Sequence, residues 1–253
     1  MKNYITFYAV LAILFWPAFG KSQSSVKDSV MTIPLLDFSY ALQFPGADLA
    51  DRFGVSSNVQ MSFFVKSKSN FLFGVSGGYL FGDNVKEADF LYDFTDENGG
   101  IPGIGGIYAD VRLYERGLNF EAKFGKVFPW FGPNMNSGPM VLIGAGYLQH
   151  RIRIEDANSD VPLFNEDNRK GYDRLTAGFV SSQFIGYRYI GNSKLINFFG
   201  GFEIKEAFTS SLRGYNYDTQ SSDTDSRLDM QYGIRVGITL PIYKKAPKEY
   251  YFD

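Results

Sequence analysis

Leu228-Asp229-Met230-Gln231-Tyr232-Gly233-Ile234-Arg235-Val236-Gly237-Ile238-Thr239-Leu240-Pro241-Ile242-Tyr243 is the stretch that decides the fold. Met230, Tyr232, Ile234, Val236, Ile238, Leu240 and Ile242 alternate with Gln231, Gly233, Arg235, Gly237 and Thr239. Period two over this length is a strand and not a helix. The apolar set forms one continuous face, while the other face carries polar groups and glycine. A strand of about 9–11 tilted residues spans a hydrocarbon layer, and this one is long enough. It reads as apolar-out and polar-in, the pattern of a strand with lipid on one side and a polar lumen on the other.

Seven further segments repeat the pattern. In 32–44, Phe38, Tyr40, Leu42 and Phe44 oppose Asp37, Ser39, Ala41 and Gln43. In 56–66, Val59, Met61, Phe63 and Val65 oppose Asn58, Gln60 and Ser62. In 70–82, Phe71, Phe73, Val75, Tyr79 and Phe81 oppose Gly74, Ser76 and Gly78. The others are 107–126, 139–154, 174–190 and 195–208. The fourth alternates on both sides of 115–117 with phases that disagree. A single strand with a bulge near Gly117 explains the slip, and it keeps the even strand count of single-chain barrels. The expectation is an all-β fold, an antiparallel eight-stranded up-and-down transmembrane β-barrel over 32–243. Short turns at 66–70, 128–137 and 191–194 alternate with long loops at 45–55, 83–106, 155–173 and 209–227.

Composition agrees. Aromatic residues make up 17% and glycines number 27, which suits interfacial girdles and a crowded lumen. The net charge of −2 gives no electrostatic footprint for nucleic acid. With no cysteine in the chain, lipid attachment through a thiol, disulfides and thiolate chemistry are excluded. Lys2 followed by the apolar run 5–16 and the small residues Ala18, Gly20 and Ser22 reads as a cleaved export signal over 1–22. Cleavage after Gly20 and after Ser22 both fit. The expected location is the outer membrane, with 244–253 as a tail on the inner side.

The segment Arg235-Val236-Gly237-Ile238-Thr239-Leu240-Pro241-Ile242 resembles the C-terminal signal read by the barrel assembly machinery, with Gly237, Leu240 and Ile242 at its key positions. It departs from the usual form because the chain runs on to Asp253. The whole mature chain resembles small eight-stranded outer-membrane barrels of the size class of the OmpA membrane domain, OmpX and OmpW, with the flavour of Bacteroidota barrel proteins. The resemblance implies outer-membrane lipid and lipopolysaccharide as surroundings and the assembly machinery as a partner in biogenesis.

Inward positions carry both signs: Asp37, Asp110, Arg112, Glu121, Lys123, Arg188, Glu203, Lys205 and Arg235. Eight strands enclose an interior that side chains just fill, so these charges are expected to pair into a plug. A gated ion path is the sharper alternative. Catalysis is not expected. Lipid A palmitoyltransferase barrels use His, Asp and Ser, and the deacylases use a His-x-Ser pair. Here the single His150 is followed by Arg151 and Ile152, and no spacing ties it to Ser159 or Asp160.

The loop 83–106 is acidic (Asp83, Glu87, Asp89, Asp93, Asp96, Glu97). Asp156-x-Asn158-x-Asp160 with Asp167 has calcium-loop spacing but Val161 where glycine is needed, so no metal or cofactor is expected. On the turn side Lys66, Lys68, Lys194, Lys244, Lys245 and Lys248 are basic. There Phe128, Trp130 and Phe131 are candidate partner or interface anchors. Three roles fit the sequence. The first is a binding or scaffold barrel, such as an accessory subunit of a secretion, barrel-assembly or envelope-stability complex. The others are a narrow transporter for small hydrophobic or ionic solutes and a lipid A-modifying enzyme.

Overall fold

The computed structural model describes residues 30–156, 161, 166–192 and 196–242. The expected export signal and the tail fall outside these. Eight strands form a closed barrel: β1 (Ile33–Ala47), β2 (Ser56–Lys66), β3 (Phe71–Gly82), β4 (Val111–Val127), β5 (Gly138–Asp156), β6 (Thr176–Ile190), β7 (Asn197–Ser211) and β8 (Ser226–Pro241). Each strand pairs antiparallel with its sequence neighbours. The ring shuts where β1 meets β8, from Leu35 opposite Pro241 to Ala47 opposite Asp229. This is the up-and-down barrel expected, and closure leaves no bare strand edge.

The alternation sorts the side chains. Phe38, Tyr40, Met61, Val75, Phe120, Ile143, Phe202 and Val236 point outward and are exposed. Asp37, Asn58, Glu121, Arg188, Glu203 and Arg235 point inward and are buried. Exposed apolar residues on all eight strands make a band that water would not tolerate and hydrocarbon would.

β4 has no bulge. Val111–Val127 pairs residue for residue with β5 from Asp156 to Met140, and Phe71–Gly82 of β3 pairs with it just as evenly. The slip in the sequence has another cause. Leu118, Phe120 and Phe124 are exposed on the outer wall, whereas Val111 and Leu113 pack inward against a cluster of Leu49, Phe53, Ile152, Ile154 and Val161. Towards the loops the strands keep their phase but exchange environments: apolar residues turn inward under a cap of loops and arginines turn outward. β5 does the same, with Val141, Ile143 and Tyr147 outward lower down and Ile152 and Ile154 inward higher up.

The cap is built from the long connections. A short helix, α1 (Asp48–Arg52), follows β1 directly, with Leu49 and Arg52 buried. The connection after β3 holds 3₁₀ turns at Asp89–Phe94 and Ile104–Gly106. The last long connection carries a two-stranded ribbon, Tyr215–Asn216 with Ser221–Ser222. At the other end the turn between β4 and β5 folds back on the barrel, burying Asn134, Asn136 and Ser137.

Candidate functional site: the filled lumen and the loop-end cleft

The lumen is occupied in tiers. Nearest the turns, the Arg188 guanidinium forms a two-pronged pair with Asp37, Nη1–Oδ1 3.1 Å and Nη2–Oδ2 2.6 Å. Thr239 donates to the same carboxylate at 2.7 Å. The guanidinium lies 5.0 Å from the Phe199 ring centroid. Below it, Lys66 Nζ donates to Asn136 Oδ1 of the folded-back turn at 2.9 Å, so that end is shut by a hydrogen-bonded cork.

The middle tier is one connected network. Arg235 donates to Glu203 Oε2 through Nε and Nη2 (3.0 and 2.7 Å) and reaches Asn58 at 2.9 Å and Ser39 at 3.0 Å. Glu203 also takes Lys123 at 3.2 Å. Glu121 accepts from Lys205 and Asn119 at 2.9 and 2.8 Å and from the Ser182 hydroxyl. Asn58 donates to Asn119 at 3.0 Å, joining the two halves. Charges so deep persist because each has an opposite partner and its remaining lone pairs are hydrogen-bonded. A void lined by Asp37, Arg188, Glu203 and Arg235 measures about 10 Å³, room for at most one water molecule.

Above the network, His150 Nε2 lies 2.8 Å from Asp229 Oδ2, and Thr209 donates to that oxygen at 2.6 Å. The imidazole is fully buried and meets the Phe53 ring edge-on. His150 is thus clamped inside the upper lumen and is not on the rim.

Of the nine inward charges expected, the structure brings together Glu121, Lys123, Glu203, Lys205 and Arg235 in one network, with Asp37 and Arg188 in the tier below. Asp110 and Arg112 are corrected. Asp110 precedes β4, Arg112 sits on its outward face, and they pair with each other in solvent at 2.6 Å. Their apolar neighbours Val111 and Leu113 face the cap and not lipid, so the outward-apolar rule that puts Asp110 and Arg112 inward inverts above the membrane. Gly237 faces inward, and Leu240 and Ile242 are exposed on the outer wall at the turn end. Trp130 and Phe131 are exposed, and Phe128 is half-buried and packs on Trp130 at 5.1 Å. In the calcium-like segment, Asp156 Oδ2 accepts from the Val161 amide at 2.8 Å; Asn158, Asp160 and the Asp167 side chain fall outside the described residues.

At the loop end a polar chain escaped the sequence reading because its members lie on four different connections. Arg52 of α1 and Arg174 each donate to Glu87 at 2.9 Å. Arg174 also holds Asp218 at 2.6 Å, and Arg52 fixes Thr176 and the Arg174 carbonyl at 3.0 Å each. Above this floor opens a polar cleft of about 660 Å³, walled by Asp48, Asp51, Asp223, Asp225 and Arg227. Its volume is that of a small-ligand site. In the acidic loop, Asp96 accepts from the Tyr108 hydroxyl at 2.8 Å and from the Asn98 and Gly100 amides at 2.9 and 3.1 Å. The Tyr108 hydrogen bond, more than the two amides, holds that carboxyl below the usual range.

Outward on β4 and β5, just above the apolar band, arginines gather. Arg116 stands directly opposite Arg151, with Arg153 one step further out. Like charges directly opposite on a sheet are unfavourable, and here Arg151 reaches Asp173 at 3.8 Å and Arg153 reaches Glu155 at 3.5 Å.

No family model matches the chain, and no curated protein matches it. Solved structures resemble it distantly. Ail, the attachment invasion locus protein of Yersinia pestis, is 8% identical with a TM-score of 0.41 over 82% of this chain and 98% of that one. Neisserial surface protein A is 11% identical with a TM-score of 0.38 over 81% and 96%. The outer membrane protein AlkL is 12% identical with a TM-score of 0.38 over 92% and 98%. The class rests on the molecule's own ladders: a closed eight-stranded barrel with an apolar wall and a packed polar interior.

Proposed function

We propose that this chain is an outer-membrane barrel that acts as a binding or scaffold protein through its loop-end surface, with the lumen as a structural plug. The carrying observation is the closed middle tier. Arg235, Glu203, Lys123, Glu121 and Lys205 are joined across the interior, and the void beside Arg235, Glu203 and Lys123 is about 10 Å³, too little for a hydrated ion or a solute. Short turns at one end and long loops at the other give the usual orientation, loops outside. On that reading the arginines at 116, 151 and 153 lie at the level of outer-leaflet phosphates, and the cleft faces the cell's surroundings.

The cleft mixes three arginines with several carboxylates, so it suits a ligand or partner loop that offers both donors and acceptors. An accessory role in a larger outer-membrane assembly uses the same surface. The glycine-rich β3, where the sequence would start a lateral route for a hydrophobic solute, keeps its ladders closed, and the space beside Gly74 and Gly78 is taken by Phe64 and Asn119.

The test is reconstitution into planar bilayers. The expected result is no single-channel current, together with a partner recovered in gentle detergent by the native chain and lost by Arg227→Asp at the cleft wall. A steady conductance step, or solute uptake into liposomes, would overturn the plug and transfer the reading to narrow transport.

A further inference from the structure

On β6 and β7 the apolar band has a polar interruption. On the outward faces of β6 and β7, Ser181 stands directly opposite Glu206, with Gln183 one step nearer the turns. Phe179 and Phe208 flank this notch on the loop side, exposed, and Ile185 and Phe202 flank it on the turn side, also exposed. Gln183 Nε2 donates to Ser181 Oγ at 3.3 Å, while the Glu206 carboxylate has no hydrogen-bond or ion-pair partner among the described residues. A carboxylate, an amide and a hydroxyl bracketed by phenylalanines and isoleucine are poorly placed against acyl chains, where unsatisfied polar groups are costly.

We infer that this notch is the contact surface for a second copy of the chain in the membrane. The inference rests on the outer-membrane reading above. The chemistry of the notch is self-complementary, because it holds an acceptor on one strand and donors on the next. Both copies insert with the same orientation, so a two-fold axis relating them runs along the membrane normal. Placed between β6 and β7, that axis sets β7 of one copy against β6 of the other. Because Ser181 and Glu206 share a register row, each Glu206 then meets the Ser181–Gln183 pair of the opposite copy at nearly the same depth. Two such contacts form at once. Hydrogen bonds across a lipid-buried interface are a recognised adhesive between membrane segments.

The absence of cysteine from the chain makes the test clean. Ile204→Cys places one thiol on the outward face of β7 between Phe202 and Glu206, and Val75→Cys places one on the far wall, on β3. The full chain is oxidised in native outer membranes after its unheated gel mobility has shown a folded barrel. The expected result is a disulfide-linked pair for Ile204→Cys and none for Val75→Cys. Adding Glu206→Leu should lower the cross-linked fraction at least fivefold without altering the unheated mobility, and Glu206→Gln should retain most of it. Equal cross-linking at both positions, cross-linking indifferent to Glu206→Leu, or an adduct with a different protein would each overturn the self-contact. Failure to show a folded, membrane-inserted barrel at the outset would instead defeat the outer-membrane reading.

Discussion

Arg188 shows what a single inward residue has to satisfy. Its guanidinium is buried among Phe64, Phe199 and Met140, and the Asp37 carboxylate supplies the opposite charge, with the Thr239 hydroxyl as a further acceptor. Asp37→Asn leaves the cation unpaired, and removing one partner of a buried pair costs about 3–5 kcal/mol. The expected outcome is a lower thermal midpoint for loss of β-structure in detergent. The pair change Asp37→Leu with Arg188→Met should recover much of the difference, since an apolar pair can fill the same space. If Asp37→Asn unfolds with the native midpoint, the lumen charges are not what holds this end of the barrel. Asp37 and Arg188 were each legible as inward from alternation. Their mutual contact, across strands far apart in sequence, was not, because period two says which face a side chain takes and nothing about which strand lies across the lumen.

At the scale of the strand, alternation located all eight elements, with ends a few residues adrift where the cap supplied the pairing. Its one failure is instructive. Along β4 and β5 the phase is constant and the solvent on each side changes, so a rule that equates apolar with outward holds only inside the membrane. Ala109, Val111 and Leu113 broke the rule because they belong to the aqueous cap, a small core of the soluble kind built on Phe53 and Ile152. The change of environment on β5 is testable in liposomes with a membrane-impermeant maleimide. Cysteine at Arg153 should label rapidly, and cysteine at Ile143 should stay protected until the bilayer is dissolved. Equal labelling would place the band elsewhere on the wall. The cleft was invisible for a related reason: Arg52, Glu87, Arg174 and Asp218 meet only because the barrel carries four connections to one rim.

The whole molecule is two media in series, a membrane-borne ring and a water-borne cap, and they answer differently to acid. In the cap, Asp96 is held ionised by the Tyr108 hydroxyl and the Asn98 and Gly100 amides. A carboxyl lowered in the folded state contributes stability that is complete above its unfolded value of about 4 and is lost as pH falls through the folded one. Limited proteolysis between Asp83 and Asp110 should therefore accelerate on moving from pH 7 to pH 3, while the ring keeps its unheated gel mobility. Asp96→Ala should cleave quickly at both pH values; if it is as resistant as the native chain, the turn is held by other contacts.

The seam between β1 and β8 joins residues near opposite ends of the described chain, Leu35 with Pro241. Contacts between neighbouring strands join residues close in sequence, but this one needs nearly the whole described chain in place, and such long-range closure is intrinsically slow. Until then β1 and β7 each present a row of unsatisfied amides and carbonyls, a ready template for mispairing. A chain stalled before Ser226 is an open sheet with two adhesive margins. Pairing of β8 with β1 therefore removes both margins in one step, and the last strand to pair is the one that ends the exposure.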